Sequence, residues 1–138
     1  MGVKVLELKD DWSVVRIRLP LNGFSKNMGG SMFGGNIASL ADPIAAMACA
    51  KRFPSYAVWT RAMQIDFVKP GNSDLELRFA FEESIYQEIA RQLEESSRSN
   101  PVFNYHFYRA DGEVCARVKN TVAIRPEDYL KNTKTAYR

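Results

Sequence analysis

The sequence predicts an α+β protein, an antiparallel sheet of about six strands beside one long helix. Three observations predict it. Six segments carry strand patterning, a two-residue alternation of apolar and polar side chains or a β-rich run between turn residues. Gly35 to about Arg52 is rich in Ala, Leu, Ile and Met, which favour helix. Turn dipeptides, Asp10-Asp11, Pro70-Gly71 and Asp111-Gly112, separate consecutive strands.

In chain order, Val3 to Leu8 sets Val3, Val5 and Leu8 against Lys4 and Glu7, and Trp12 to Leu19 sets Val15, Ile17 and Leu19 against Arg16 and Arg18. Leu21 to Gly35 then holds five glycines in fifteen residues, which predicts a loop with unusual dihedrals or a close approach by another group. The first helix follows, and Pro54 stands two residues beyond its expected end. Ala57 to Lys69 and Asp74 to Phe81 read as two long antiparallel strands around the tight Pro70-Gly71 connection. Ser84 and Gln87 fit a capping box, and Ile85, Ile89 and Leu93 then repeat every four residues, predicting a surface helix of about three turns. Val102 to Arg109 and Glu113 to Ile124 form a closing hairpin through Asp111-Gly112.

With 138 residues the chain reads as one domain, residues 1–138. It is 46% hydrophobic and 25% charged, the balance of a soluble globular protein. The net charge of +3 is scattered, which disfavours nucleic acid as a partner, and the basic tail, Lys131, Lys134 and Arg138, reads as a solvated end. Met28 to Ala41 is too short and too polar to cross a bilayer, so no membrane partner is expected. The start of the chain has no secretory pattern, and Cys49 and Cys115 read as buried free thiols, so a cytoplasmic location is expected.

The first helix breaks local rules. Ile37, Leu40, Ile44 and Met47 form one bulky stripe, fit to pack on the sheet. The opposite stripe, Gly35, Ala38, Ser39, Asp42, Ala45, Ala46 and Cys49, holds small residues and a single acid where a surface helix would carry Lys and Glu. A helix of this kind is expected to be buried all round, between the sheet, a second copy of the chain and a ligand. Asp42 is the only acid from Gly35 through Ala50, and Pro43 follows it, depriving the Ser39 carbonyl of its helical donor. Asp42 lies about 10 Å along the helix from Gly35 on the same face. The first-turn N–H groups carry partial positive charge, and Gly34 and Gly35 let a ligand approach them, an arrangement suited to attack on an ester or thioester. The residues alone leave open a structural role for Asp42, bonding freed backbone groups at a kink.

The segment Asn27 to Asp42 resembles the signature of hotdog-fold thioesterases of the phenylacetate-pathway type. That family carries His-Gly-Gly and then an Asp nine residues after the His, commonly in Leu-Ala-Asp. Here Phe33-Gly34-Gly35 and Leu40-Ala41-Asp42 stand at that spacing, and Ile65 to Gly71 resembles the family's next strand and turn. The resemblance implies a sheet wrapped round the central helix, a homodimer or a dimer of dimers, and an acyl-coenzyme A or acyl-carrier thioester as substrate, with no metal and no cofactor. It implies Asp42 as general base or nucleophile and the Gly34 N–H as oxyanion donor. It implies Asn27 as an orienting group and Thr60 as a hydroxyl contributed across the subunit boundary. Phe33 replaces the family's His; with Met28 and Met32 it would line an acyl pocket, beside Gly35. Arg61 and Lys69 are candidates for coenzyme A phosphates, though a solvated face is the stronger reading of both.

A second reading follows from Phe33: a silent hotdog protein that binds acyl chains or acyl-coenzyme A. Hydratase chemistry ranks last, because it usually pairs an Asp with a His, and the single histidine, His106, sits between Tyr105 and Phe107 on a strand. Asp66 reads as an edge-facing or salt-bridged residue.

Overall fold

The computed structural model describes residues 2–22, 29–32 and 34–129. Eight elements follow in order: β1 (Lys4–Leu8), β2 (Val14–Leu19), α1 (Gly34–Arg52), β3 (Tyr56–Phe67), β4 (Leu75–Ala80), α2 (Glu83–Ser96), β5 (Val102–Arg109) and β6 (Val114–Pro126). The strands form one antiparallel sheet in the order β1-β2-β4-β5-β6-β3. Every predicted element is present, with ends displaced by a few residues.

The β1–β2 and β5–β6 hairpins fold as their turn residues dictate. Trp12 takes a positive φ of 61°, and the Asp11 carboxylate accepts the Ser13 N–H at 2.9 Å. Gly112 takes φ 84°, a conformation that costs glycine nothing. Asp111 accepts the Glu113 N–H at 3.0 Å and pairs with Arg109, whose guanidinium holds the Asp111 carboxyl down to about 2.

The expected β3–β4 hairpin does not form. β3 pairs with β6, from Tyr56↔Pro126 to Phe67↔Ala116, and β4 is inserted between β2 and β5. Pro70-Gly71 therefore begins a crossing past β6 and β5 into the interior of the sheet. A turn dipeptide reports a change of direction, whereas pairing depends on which strand surfaces the rest of the chain leaves available. β3 ends the sheet, twelve residues long, with no partner strand on its outer edge among the described residues.

The inner face of the sheet supplies the core: Val15, Ile17 and Leu19 from β2, Leu75, Leu77 and Phe79 from β4, Phe103, Tyr105 and Phe107 from β5, and Val118, Val122 and Ile124 from β6. α1 lies across this face against β3, β6 and β4. The bulky stripe is only partly right. Ile37, Leu40 and Ile44 are buried, but Met47 is 48% exposed, and Ala45 and Cys49, assigned to the opposite stripe, are fully buried with Ala41 and Ala48. Small residues let the helix backbone come close to the strands, so the sheet-facing side is centred on alanine and the bulky residues flank it. In the single chain α1 is not buried all round, because Gly35, Ser39, Asp42, Met47 and Ala50 are exposed.

At its end α1 is tied to α2. The Arg52 guanidinium lies 4.2 Å from the centre of the Tyr86 ring and 4.8 Å from that of Phe81. α2 buries Ile89 and Leu93 as predicted. The capping box is absent: Glu82 occupies the cap position with no side-chain bond, and Gln87 instead donates to Glu83 at 2.8 Å. The helix begins one residue earlier than Ser84, which moves Ser84 inside the first turn. No helix among the described residues is long and apolar enough to cross a membrane.

Candidate functional site

The start of α1 opens on a cavity of about 530 Å³ lined by Ser31, Met32, Gly34, Ile37, Phe67 to Pro70 and Gly71. The sequence produces it in three steps. Gly30 turns the chain with φ 80°. Met32 then inserts into the core, 4% exposed, and its N–H donates to the Gly71 carbonyl at 2.9 Å, which pins the glycine loop to the β3–β4 crossing. Gly34 begins the helix so close to β3 that a Cβ there would stand 3.1 Å from the Phe67 ring. Gly35 faces open space, with nothing within 4 Å of where a Cβ would lie.

Gly71 is the tighter constraint. A Cβ there would meet the Met32 Cβ at 3.0 Å and Leu75 Cδ1 at 3.2 Å. The Met32 Cβ cannot move without its pinned backbone. Gly71→Ala is therefore expected to cost about 1–3 kcal/mol of stability by overpacking. A chemical-denaturation midpoint checks it, and an unchanged midpoint would show that the loop yields freely.

Asp42 stands on α1 two turns beyond this cavity and does not line it. It is exposed, on a face shared with Gly35, Ser39 and Pro43. Ser39 donates its hydroxyl to the Gly35 carbonyl at 2.8 Å, a back-bond that leaves the side chain without spare reach toward Asp42. The Asp42 backbone is held more firmly than its side chain. Its carbonyl accepts the Thr60 hydroxyl at 3.0 Å and the Asn120 amide at 3.4 Å. The Ala41 carbonyl accepts the Tyr105 hydroxyl at 2.6 Å.

The predicted residues thus fall into two groups. Gly34, Gly35 and Met32 gather at the mouth of α1. Asp42 and Thr60 meet at its middle, through a backbone carbonyl and within one chain. Arg61 lies exposed on β3 at a bulge and outside the cavity, whereas Lys69 lines the cavity and pairs with Glu113 at 2.9 Å. Asn27, Met28 and Phe33 fall outside the described residues. Asp66 and His106 face the other side of the sheet in a shallow groove of about 220 Å³ with Arg117 and Lys119.

Both cysteines are buried and free, as expected. Burial pushes the Cys49 thiol up to about 12, which removes it as a nucleophile near neutral pH. Among the described residues no group of three or more His, Cys, Asp or Glu side chains is placed to hold a metal ion.

Tyr105 and Asn120 were not anticipated. A signal for Asn120 was present. It occupies the inward phase of β6, between Val118 and Val122, where alternation calls for an apolar residue.

Comparison with known proteins supports the fold. A model of the family described as "Domain of unknown function (DUF4442)" matches residues 1–124. No curated protein matches the sequence. Among solved structures, the chain is similar to PA5026 from Pseudomonas aeruginosa, a protein of unknown function described as a probable thioesterase, with 20% identity and a TM-score of 0.79 over 91% of this chain and 83% of that one. It is similar to the E. coli PaaI protein from the phenylacetic acid degradation operon, with 17% identity and a TM-score of 0.63 over 88% of this chain and 78% of that one. It is also similar to a hypothetical thioesterase from Streptococcus pneumoniae solved with coenzyme A, with 14% identity and a TM-score of 0.66 over 91% of this chain and 88% of that one. The six-stranded antiparallel sheet laid against α1 is the hotdog fold.

Proposed function

The chain belongs to the DUF4442 family, and from that membership, the hotdog fold and the placement of Asp42 we propose that it hydrolyses an acyl thioester of coenzyme A or of an acyl carrier. One observation carries the reading: a single acid, exposed on a helix face otherwise built from Gly, Ser, Pro, Ala and Met, beside a long strand whose outer edge has no partner strand among the described residues. Such edges attract pairing, and natural proteins usually protect them. β3 has only Arg61 and Asp66 as charges, no proline, and an exposed Phe67 at its end.

We take a second copy of the chain as the protection, paired along β3 in a homodimer that could itself dimerise. One helix cannot bring its own Gly34 N–H and Asp42 carboxylate to one carbonyl, because eight residues of helix separate them by about 12 Å. Two copies related by a twofold axis near the middle of β3 would set the helix mouth of one toward the acid of the other. The thioester carbonyl then accepts a hydrogen bond from the Gly34 N–H, which stabilises the oxyanion as it forms. The Asp42 carboxylate takes a proton from water as the hydroxide adds to the carbonyl carbon. The carbon–sulfur bond breaks, the acid product forms, and the thiolate leaves and takes up a proton. Direct attack by Asp42, with hydrolysis of the resulting anhydride, uses the same geometry.

Met32, Ile37, Phe67 and Val68 give the cavity apolar walls suited to an acyl chain. The coenzyme A held by the pneumococcal relative supports the carrier. A second reading is favoured by Phe33 in place of the family's His: a protein that holds an acyl thioester without cleaving it.

The test is release of free thiol from a panel of acyl-coenzyme A thioesters of increasing chain length, with an acyl carrier protein alongside. Release above the buffer rate supports hydrolysis. Binding detected by calorimetry without release from any thioester would overturn hydrolysis in favour of the second reading.

A further inference from the structure

Three side chains from three strands converge on two consecutive carbonyls of α1. Thr60 of β3 donates to Asp42 O at 3.0 Å, Tyr105 of β5 donates to Ala41 O at 2.6 Å, and Asn120 of β6 donates to the Tyr105 hydroxyl at 2.9 Å and to Asp42 O at 3.4 Å. Asn120 is 0% exposed, and its Oδ1 is buried with no hydrogen-bond partner among the described residues.

Ordinary packing does not call for this arrangement. Carbonyls inside a helix already have donors four residues on, so none of these bonds is needed to satisfy α1. An amide on the inward face of a strand is costly to bury, more so with its oxygen left over, and a leucine of similar volume would fill the same space without that cost. The expense falls on the turn that carries Asp42, immediately before Pro43.

We propose that Asn120, Tyr105 and Thr60 are positioning residues, a clamp that fixes the roll of α1 on the sheet and with it the direction of the Asp42 carboxylate. The inference rests on Asp42 being the reacting group. Apolar contacts are non-directional, so alanines lying on an apolar sheet allow a helix to roll and slide, whereas hydrogen bonds fix angle and distance. Pro43 removes a rung of the helix ladder at the Ser39 carbonyl, which makes this turn the easiest to bend. A side-chain carboxylate stands about 6 Å from a helix axis, so a roll of about 10° moves it about 1 Å. A displacement of that size costs about 100-fold in rate. Tyr105 also keeps the proton it donates: burial first, and the Asp42 charge to a smaller extent, raise its hydroxyl well above the usual phenol range, against the Asn120 hydrogen bond.

The test uses the full chain carrying Asn120→Leu, Tyr105→Phe, Thr60→Val or Thr60→Ser. Turnover of the best acyl-coenzyme A substrate is measured with the melting temperature, and residual dipolar couplings of the backbone N–H groups report the orientation of α1 on the sheet. Asn120→Leu and Tyr105→Phe are expected to lower kcat by about 10- to 100-fold with KM within about threefold, as a displaced group does. Thr60→Val is expected to behave likewise and Thr60→Ser to recover most of the loss. Asn120→Leu should leave the melting temperature within about 5 °C of the parent, because the helix carbonyls keep their own donors, whereas Tyr105→Phe takes the acceptor from the buried Asn120 amide and should lower it by about 5–10 °C. The dipolar couplings of α1 should change relative to those of the sheet strands. Thr60 is only half-buried, so its pair of variants decides the matter should either core substitution fail to fold. Wild-type kcat together with unaltered dipolar couplings in α1 overturns the clamp. Full turnover by Asp42→Asn overturns the reading of the site instead, and the dipolar couplings of α1 then judge the clamp without reference to activity.

Discussion

Asp42→Asn is expected to lower kcat for acyl-thioester hydrolysis by at least about 100-fold, the span attributed to a positioned general base, with further loss if the carboxylate attacks directly. KM and thermal stability should remain close to those of the parent. Asparagine keeps the shape and hydrogen-bonding capacity of the side chain and removes only its basicity. The carboxylate is exposed in the single chain, and its carbonyl, which takes the Thr60 and Asn120 bonds, is untouched. Steady-state thiol release measured beside a melting curve separates chemistry from folding. Turnover equal to the parent's would remove Asp42 from the reaction.

The second large effect concerns the free edge of the sheet. Ala62→Asp is expected to split the assembly and with it the site. Ala62 is exposed near the middle of β3, beside the bulge after Thr60. In a twofold pairing of β3 strands each copy would bring a new carboxylate close to its mate. Like charges brought together at an interface cost several kcal/mol, and 3 kcal/mol weakens association more than 100-fold. Light scattering should then report 15.7 kDa in place of twice that mass. kcat/KM should fall about 100-fold at protein concentrations where the parent is fully paired, because neither copy alone brings the helix mouth and the acid together. A parent that is monomeric and fully active would exclude the shared site, whatever the variant does.

Gly71→Ala and the clamp variants probe different links of the same chain of causes. The first asks whether the glycine loop is held in place by the β3–β4 crossing. The others ask whether the sheet aims the acid. Neither depends on which thioester the protein uses.

The helix mouth and the acid were legible in the sequence because each announces itself locally. Gly34-Gly35 at a helix start and Asp42-Pro43 within a helix are both unfavourable by propensity, and such violations concentrate where a chain does chemistry. Met47 was misplaced because a helical wheel weighs side chains by bulk, while the sheet selected alanine for closeness. Tyr105 was missed because it lies more than sixty residues from the carbonyl it serves, on a strand whose own pattern looks ordinary; Asn120 does break the apolar alternation of β6, but the carbonyl it reaches lies as far away in the chain.

By itself the sequence determined the eight elements, their approximate ends, the hairpin turns at Asp10-Asp11 and Asp111-Gly112, and the singular character of α1. These follow from periodicity and dihedral preference, which act over a few residues. Only the tertiary structure decided that β3 pairs with β6 and leaves an edge, that β4 enters between β2 and β5, and that three strands reach the carbonyls around Asp42. The physical reason is that backbone hydrogen bonds between strands are nearly indifferent to sequence, so the partner of a strand is chosen by what the whole core must bury. The direction in which an acid points is inherited from that choice.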